Sequence, residues 1–182
     1  MRIFLAALAA LLPVAMPVHA QPFDRNLPVN IDADRVTVDD RNKVHTFEGG
    51  VVLTQGTLTI KGDKVVVTQD AAGFHNGVAT AASGRLVFFR QKRTSDGAWI
   101  DGEAERIEYN SRNERAKLFN RAQIQSGGDR VRGQYIEYDV ATENYLVTDA
   151  PGSRNGNTPA KSRVQVVLQP KNNKKPDPAE AR

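Results

Sequence analysis

Ala33-Asp34-Arg35-Val36-Thr37-Val38 returns 71 positions later as Ala104-Glu105-Arg106-Ile107-Glu108-Tyr109, and the two frames stay aligned without a gap for about thirty-five residues. Arg41-Asn42 falls on Arg112-Asn113, Phe47 on Leu118, Gly56 on Gly127 and Gly62 on Gly133. Each copy contains a shorter echo, Gly62-Asp63-Lys64-Val65-Val66-Val67 and Gly133-Gln134-Tyr135-Ile136-Glu137-Tyr138. The small residues Ala33, Gly62, Ala104 and Gly133 are therefore 29, 42 and 29 positions apart. An insertion with strand signals of its own, around Leu86 to Trp99, fills the longer step. Self-similarity at such a period marks stacked supersecondary units, each too small to bury its apolar face alone.

The units are strands. Apolar residues alternate at Val36/Val38, Val65/Val67, Ile107/Tyr109 and Ile136/Tyr138, and β-branched and aromatic types at a period of two suit a half-buried pleated surface. Hairpin signals lie between them at Gly49-Gly50, Asn76-Gly77, Asp96-Gly97, Gly127-Gly128 and Asn155-Gly156. Beyond the first twenty residues no segment carries a 3.6-residue apolar stripe. The chain is predicted to be all-β.

Parity adds a constraint. Ile31, Ile60 and Val131 each stand two positions before a small residue, and the next apolar pair starts three positions after it. Five is odd, so a flat strand would turn its second half outward. A bend or bulge at Ala33, Gly62 and Gly133 restores the inward direction. The third copy has Gly102 where the others have Ile or Val, so the parity argument does not reach its corner. Repeated corners at one level fold the strands into two stacked layers around one long interior.

The first twenty residues have the grammar of a secretory leader. Arg2 gives a positive start, Ile3 to Leu12 is apolar, Pro13 and Pro17 interrupt, and Val18-His19-Ala20 offers cleavage between Ala20 and Gln21. The apolar run is too short to span a bilayer. This predicts an exported protein with residues 1–20 removed, a domain over 21–169 and a disordered basic tail over 170–182. The absence of cysteine excludes a disulfide framework and a cysteine nucleophile. The charge excess sits at the end of the chain: residues 21–160 hold 18 Lys+Arg against 19 Asp+Glu. Without a basic face on the folded part, nucleic acid is not an expected partner.

Catalytic chemistry finds no motif. The acids Asp32, Asp34, Asp39, Asp40, Asp101, Glu103 and Glu105 fall at turns or opposite apolar positions, as a solvated face requires. Asp32 and Asp34 lack the remainder of a calcium loop, and His45 and His75 lack metal-ligand spacing. No enzyme activity, metal or cofactor is expected.

The stretch Val44-His45-Thr46-Phe47-Glu48-Gly49-Gly50-Val51-Val52-Leu53-Thr54-Gln55-Gly56-Thr57-Leu58-Thr59-Ile60-Lys61-Gly62-Asp63-Lys64-Val65-Val66-Val67-Thr68 resembles the signature region of the LptA/OstA family of periplasmic lipopolysaccharide-transport proteins. So do Gly102 to Tyr109, Val131 to Tyr138, and the ending Lys161 to Pro170 with its Lys/Asn tail. The resemblance covers nearly all of the chain after the leader and is loosest at Gly84 to Phe89. It implies an open β-jellyroll with two sheets in a V-shaped cross-section and an apolar interior that takes the acyl chains of lipid A. It also implies head-to-tail homo-oligomers bridging an inner-membrane Lpt complex, including LptC and its transporter, to the N-terminal domain of LptD at the outer membrane. The positions matching the family's inward, ligand-facing sites are Val29, Ile31, Phe88 and Tyr109. The internal repeat extends them to Val36, Val38, Val65, Val67, Ile107, Ile136 and Tyr138.

Physical chemistry fits a carrier. Burying one methylene is worth about 0.8 kcal/mol, so an acyl chain of about a dozen carbons needs on the order of 10 kcal/mol of shelter. Open ends expose unpaired strand edges that a neighbouring subunit can cover by strand addition. The segments expected there are Val29 and Ile31 at one end and Val164, Val166 and Leu168 at the other. The competing expectation is a ligand-free structural adaptor that pairs strands around a filled core.

Overall fold

The computed structural model describes residues 27–73, 75–148 and 164–169. The leader with its Ala20–Gln21 junction, the Asn155-Gly156 turn and the tail from 170 lie outside the described residues. Every regular element within them is a strand. In chain order they are β1 (Asn30–Asp32), β2 (Arg35–Asp39), β3 (Val44–Gln55), β4 (Leu58–Gln69), β5 (His75–Thr80) and β6 (Val87–Lys92). There follow β7 (Trp99–Ala104), β8 (Arg106–Asn110), β9 (Arg115–Ser126), β10 (Asp129–Asp139), β11 (Asn144–Thr148) and β12 (Gln165–Val167). All pairings are antiparallel.

Four strands, β3, β4, β9 and β10, are long enough to cross from one layer to the other. One layer runs β2, the first half of β3, the second half of β4, β5, β8, the first half of β9, the second half of β10, then β11. The other runs β1, the second half of β3, the first half of β4, β6, β7, the second half of β9, the first half of β10, then β12. The expected β-jellyroll of two folded-over sheets is the observed architecture.

The internal repeat is a repeat of structure. Shifting β2 and β3 by 71 positions lays them end for end on β8 and β9. Backbone outliers shift with them: Lys43 and Glu114 have φ of 55° and 53°, and Gly56 and Gly127 have 58° and 59°. Corner hydrogen bonds do the same, with Asp34 N donating to Gly49 O at 3.1 Å and Glu105 N to Asn120 O at 3.1 Å.

The chain changes layers at Ala33, Gly62, Ala104 and Gly133. Ala104 is therefore a corner although Gly102 broke the parity pattern. Register slips at two bends, between Glu48 and Val51 on β3 and between Gly133 and Tyr135 on β10. Gly49-Gly50, expected as a hairpin, is instead the corner inside β3, with φ of 83° and 51°. A Cβ at Gly49 would stand 2.2 Å from Asp34 Oδ2, so only glycine fits there. In the second copy Asn120-Arg121 makes the same bend at φ of 60° and 48°. Asn76-Gly77 is also no hairpin but lies inside β5; the turn before it starts at Asp70, whose Oδ1 accepts from Ala72 N at 2.9 Å. Asp96-Gly97 and Gly127-Gly128 do turn the chain, between β6 and β7 and between β9 and β10.

Apolar side chains from the two layers meet in a core whose fully buried members include Val51, Val87, Leu118 and Ile136. Opposite faces are polar and cross-linked. On one, the Arg106 guanidinium sits 4.1 Å over the Phe119 ring, which tilts against Tyr135 at 5.2 Å. Tyr135 Oη donates to Glu137 Oε2 at 2.9 Å, and Arg115 holds the other oxygen at 2.7 Å.

Candidate functional site

Strand register turns the inward positions of the first layer into two rows. Val36, Phe47, Val65, Ala79, Ile107, Leu118, Ile136 and Val147 are successive partners across it. Val38, His45, Val67, Gly77, Tyr109, Ala116, Tyr138 and Tyr145 form the second row. In the other layer Ile31, Leu53, Ile60, Phe89, Gly102, Ile124, Val131 and Val166 follow one another likewise. The odd spacing from Ile60 to Val65, and from Val131 to Ile136, returns both partners to the interior, as the corners require.

The layers do not close on each other evenly. Between their N-terminal halves lies a cleft of ≈ 860 Å³. Of the positions expected to face a ligand, Val29, Ile31, Val65, Val67, Ile107 and Tyr109 line it. Beyond Tyr109 the interior narrows to ≈ 30 Å³ among Phe89, Gln91, Ala116, Tyr138 and Val140. Past that constriction the side chains pack together.

The other expected positions divide by where their rows run. Ile136 and Tyr138 are 0% and 2% exposed and sit in the packed half. Val36 and Val38 continue the rows onto the edge strand β2, but they are 55% and 53% exposed and do not line the cleft. Phe88 is a correction. It pairs with Lys61 and Glu103, whereas its neighbour Phe89 pairs with Ile60 and Gly102, so alternation turns Phe88 to the outer face. There its ring lies under the Arg90 guanidinium at 6.0 Å. Phe47, Leu53, Leu58 and Ile60 line the cleft without having been singled out. Parity from Val65 back across the Gly62 corner would have found Ile60.

The lining is mostly apolar. His45, His75, Gln55 and Ser111 supply its polar groups. Tyr138 has its phenol pushed up to about 12, first by burial and then by the nearby Glu143 carboxylate. Among the described residues the lining holds no carboxylate, and a surface of this kind can shelter apolar matter.

At the ends of the layers, strands keep one unpaired side among the described residues. β1 and β2 pair only with β3, while β11 and β12 pair only with β10. Val29 at one end and Val164, Val166 and Leu168 at the other are exposed, Leu168 by 70%.

Known proteins with this arrangement can be named. A family model described as LptA/(LptD N-terminal domain) LPS transport protein matches residues 30–144. The lipopolysaccharide export system protein LptA of Haemophilus influenzae is 34% identical over 163 residues, which cover 90% of this chain and 89% of that protein. The corresponding LptA of Escherichia coli K12 is 28% identical over 172 residues, 94% of this chain and 90% of its own. The crystal structure of LptH from Pseudomonas aeruginosa, the LptA-homologous periplasmic component of the lipopolysaccharide transport device of that organism, aligns with a TM-score of 0.72. That alignment has 27% identity and covers 82% of this chain and 100% of LptH. With the family model spanning well over half of the sequence, and a relative this similar along nearly its whole length, the chain belongs to the family of LptA and the LptD N-terminal domain.

Proposed function

We propose that this chain is a periplasmic lipopolysaccharide carrier that lodges lipid A acyl chains in the cleft between its N-terminal half-layers. The observation that carries this reading is a ≈ 860 Å³ cleft of mostly apolar lining, with Phe47, Val65, Val67, Ile107 and Tyr109 from one layer and Ile31, Leu53 and Ile60 from the other. Acyl chains gain about 0.8 kcal/mol per sheltered methylene, and the sugar-phosphate headgroup stays in water. Repeated, similar positions favour sliding over locking into one site. The names of LptA and LptH and the fold of LptH support the same assignment.

Export follows from the leader, cleaved between Ala20 and Gln21, which leaves a domain over 21–169 and a basic tail from 170. The free edges of β1 and β2 and of β11 and β12 then serve strand addition. They join copies head to tail and dock an inner-membrane Lpt complex with LptC and the N-terminal domain of LptD. The second reading, a ligand-free adaptor, draws support from the packed C-terminal half. Titration of lipopolysaccharide decides between them. Tyr109→Glu and Val67→Glu weaken saturable binding about tenfold or more, since each puts a charge against acyl chains, while Glu108→Gln on the outer face leaves it unchanged. An adaptor gives no saturable binding in any variant.

A further inference from the structure

The constriction at Tyr138 lies beneath a bridge between the two layers. The β6–β7 loop belongs to one layer and the β10–β11 turn to the other, and both project from the rim opposite the corners. Thr94 N and Ser95 N donate to Glu143 Oε1 at 2.8 and 3.1 Å, and Ser95 Oγ donates to Glu143 Oε2. One carboxylate thus takes three hydrogen bonds from a loop 48 residues away in sequence.

Both sides of the bridge are held in shape for it. Arg93 pairs with Asp96 inside the loop, Arg93 N donates to Ala98 O at 2.8 Å, and Ala98 N donates to Asp96 Oδ1 at 3.0 Å. Glu143 adopts a left-handed φ of 57° at the end of a turn where Thr142 N bonds to Asp139 Oδ1 at 3.0 Å. The equivalent turns end at Lys43 and Glu114 with the same left-handed backbone. Below the bridge, Gln55, Leu58, Ile60, Ile107 and Tyr109 line both the cleft and the constriction, so the two are one interrupted passage.

We propose that the β6–β7 loop and Glu143 form a clasp, and that its release admits acyl chains from the cleft into the second half of the interior. This rests on the carrier reading. The open half has the volume of a site for a drug-sized ligand, for which about 300–1,000 Å³ is usual, and a lipid with several acyl chains is larger. The apolar rows run through Ala116 and Tyr138 at the constriction and on to Leu118 and Ile136, so separating the rims there extends the same lining. The corners at Gly62, Ala104 and Gly133 lie on the far side, where they act as the hinge of such a separation.

The chain has no cysteine, so Ser95→Cys with Glu143→Cys gives a clean pair to lock with a short, reducible bis-thiol cross-linker. A photoreactive residue placed at Phe47 or at Val140 then reports lipopolysaccharide in the cleft or at the constriction. Locking is expected to leave labelling at Phe47 unchanged and to cut labelling at Val140 about tenfold, with reduction restoring it. In the cysteine-free chain, Glu143→Gln raises Val140 labelling several-fold, because charge-assisted bonds are the stronger ones. Equal labelling at Val140 in locked and reduced protein overturns the clasp while the carrier reading stands. No labelling at either position in either state overturns the carrier reading and the clasp together.

Discussion

The ring of Phe89 lies directly on Gly102: a Cβ added at 102 would stand 1.8 Å from Phe89 Cε1. Gly102 occupies the position held by Ile31, Ile60 and Val131 in the other copies, so one large ring from β6 takes the space of two side chains. Gly102→Val, which restores the repeat, is expected to destabilise by about 2–3 kcal/mol through overpacking. Adding Phe89→Ala to it returns part of that loss, whereas Phe89→Ala alone costs about 3 kcal/mol or more by leaving a cavity. Denaturant midpoints of the three variants give the interaction directly.

Corners in the two copies meet the same backbone demand with different residues. Gly49→Ala forces a side chain into a left-handed φ and against Asp34, at an expected cost of about 2 kcal/mol. Asn120→Gly relieves the left-handed backbone but loses the 3.2 Å bond from Asn120 Nδ2 to Glu105 Oε2. These oppose, so its stability should stay within about 0.5 kcal/mol of the parent. Thermal unfolding of the pair tests the structural equivalence of positions 49 and 120.

Tyr135 and Tyr138 respond to alkali. Burial first, and then the hydrogen bond to Glu137, pushes the Tyr135 phenol up to about 12; burial and Glu143 do the same to Tyr138. The folded state keeps both protons at pH values where the unfolded chain, titrating near 10, has lost them. Stability therefore falls as pH rises from about 10 to about 12 and levels off above. Phenolate absorbance is expected to show a late wave near pH 12 that Tyr135→Phe with Tyr138→Phe removes. A chain whose tyrosines all ionise near 10 contradicts this packing.

Free edges predict association. Val166 and Leu168 are 52% and 70% exposed, so Val166→Glu with Leu168→Glu should change stability by less than about 1 kcal/mol. If the edge joins copies, the same change lowers the concentration-dependent mass seen in sedimentation. An unaltered distribution would remove β12 from the interface.

How much of this was legible in the sequence follows from what each signal measures. Alternation reports which face a residue takes, and the repeat reports which positions are equivalent. Together they reached the all-β fold, the corners at Ala33, Gly62 and Gly133, and the rows through Val65, Val67, Ile107 and Tyr109. Neither reports how far apart two layers stand. Ile136 and Tyr138 have the same pattern as Val65 and Val67, yet one pair is packed in the closed half and the other lines the cleft. Phe88 was set inward by the family resemblance, which is loosest at Gly84 to Phe89, and a shift of one residue there selects the opposite face. Gly102, a gap in an otherwise Ile/Val position, was the available sign that a large inward side chain lay opposite. Gly49-Gly50 reads as a hairpin because the same left-handed glycines serve a bend in mid-strand, and only the pairing partners distinguish them.

The central claim is that acyl chains lie against the inward side of these strands, and β4 offers the most direct test. A photoreactive residue is placed in turn at Lys64, Val65, Val66 and Val67, and the protein is irradiated with lipopolysaccharide. Labelling at 65 and 67, with little at 64 and 66, is the expected result. Labelling that ignores the alternation, or none at any of the four, would contradict a cleft that carries lipid.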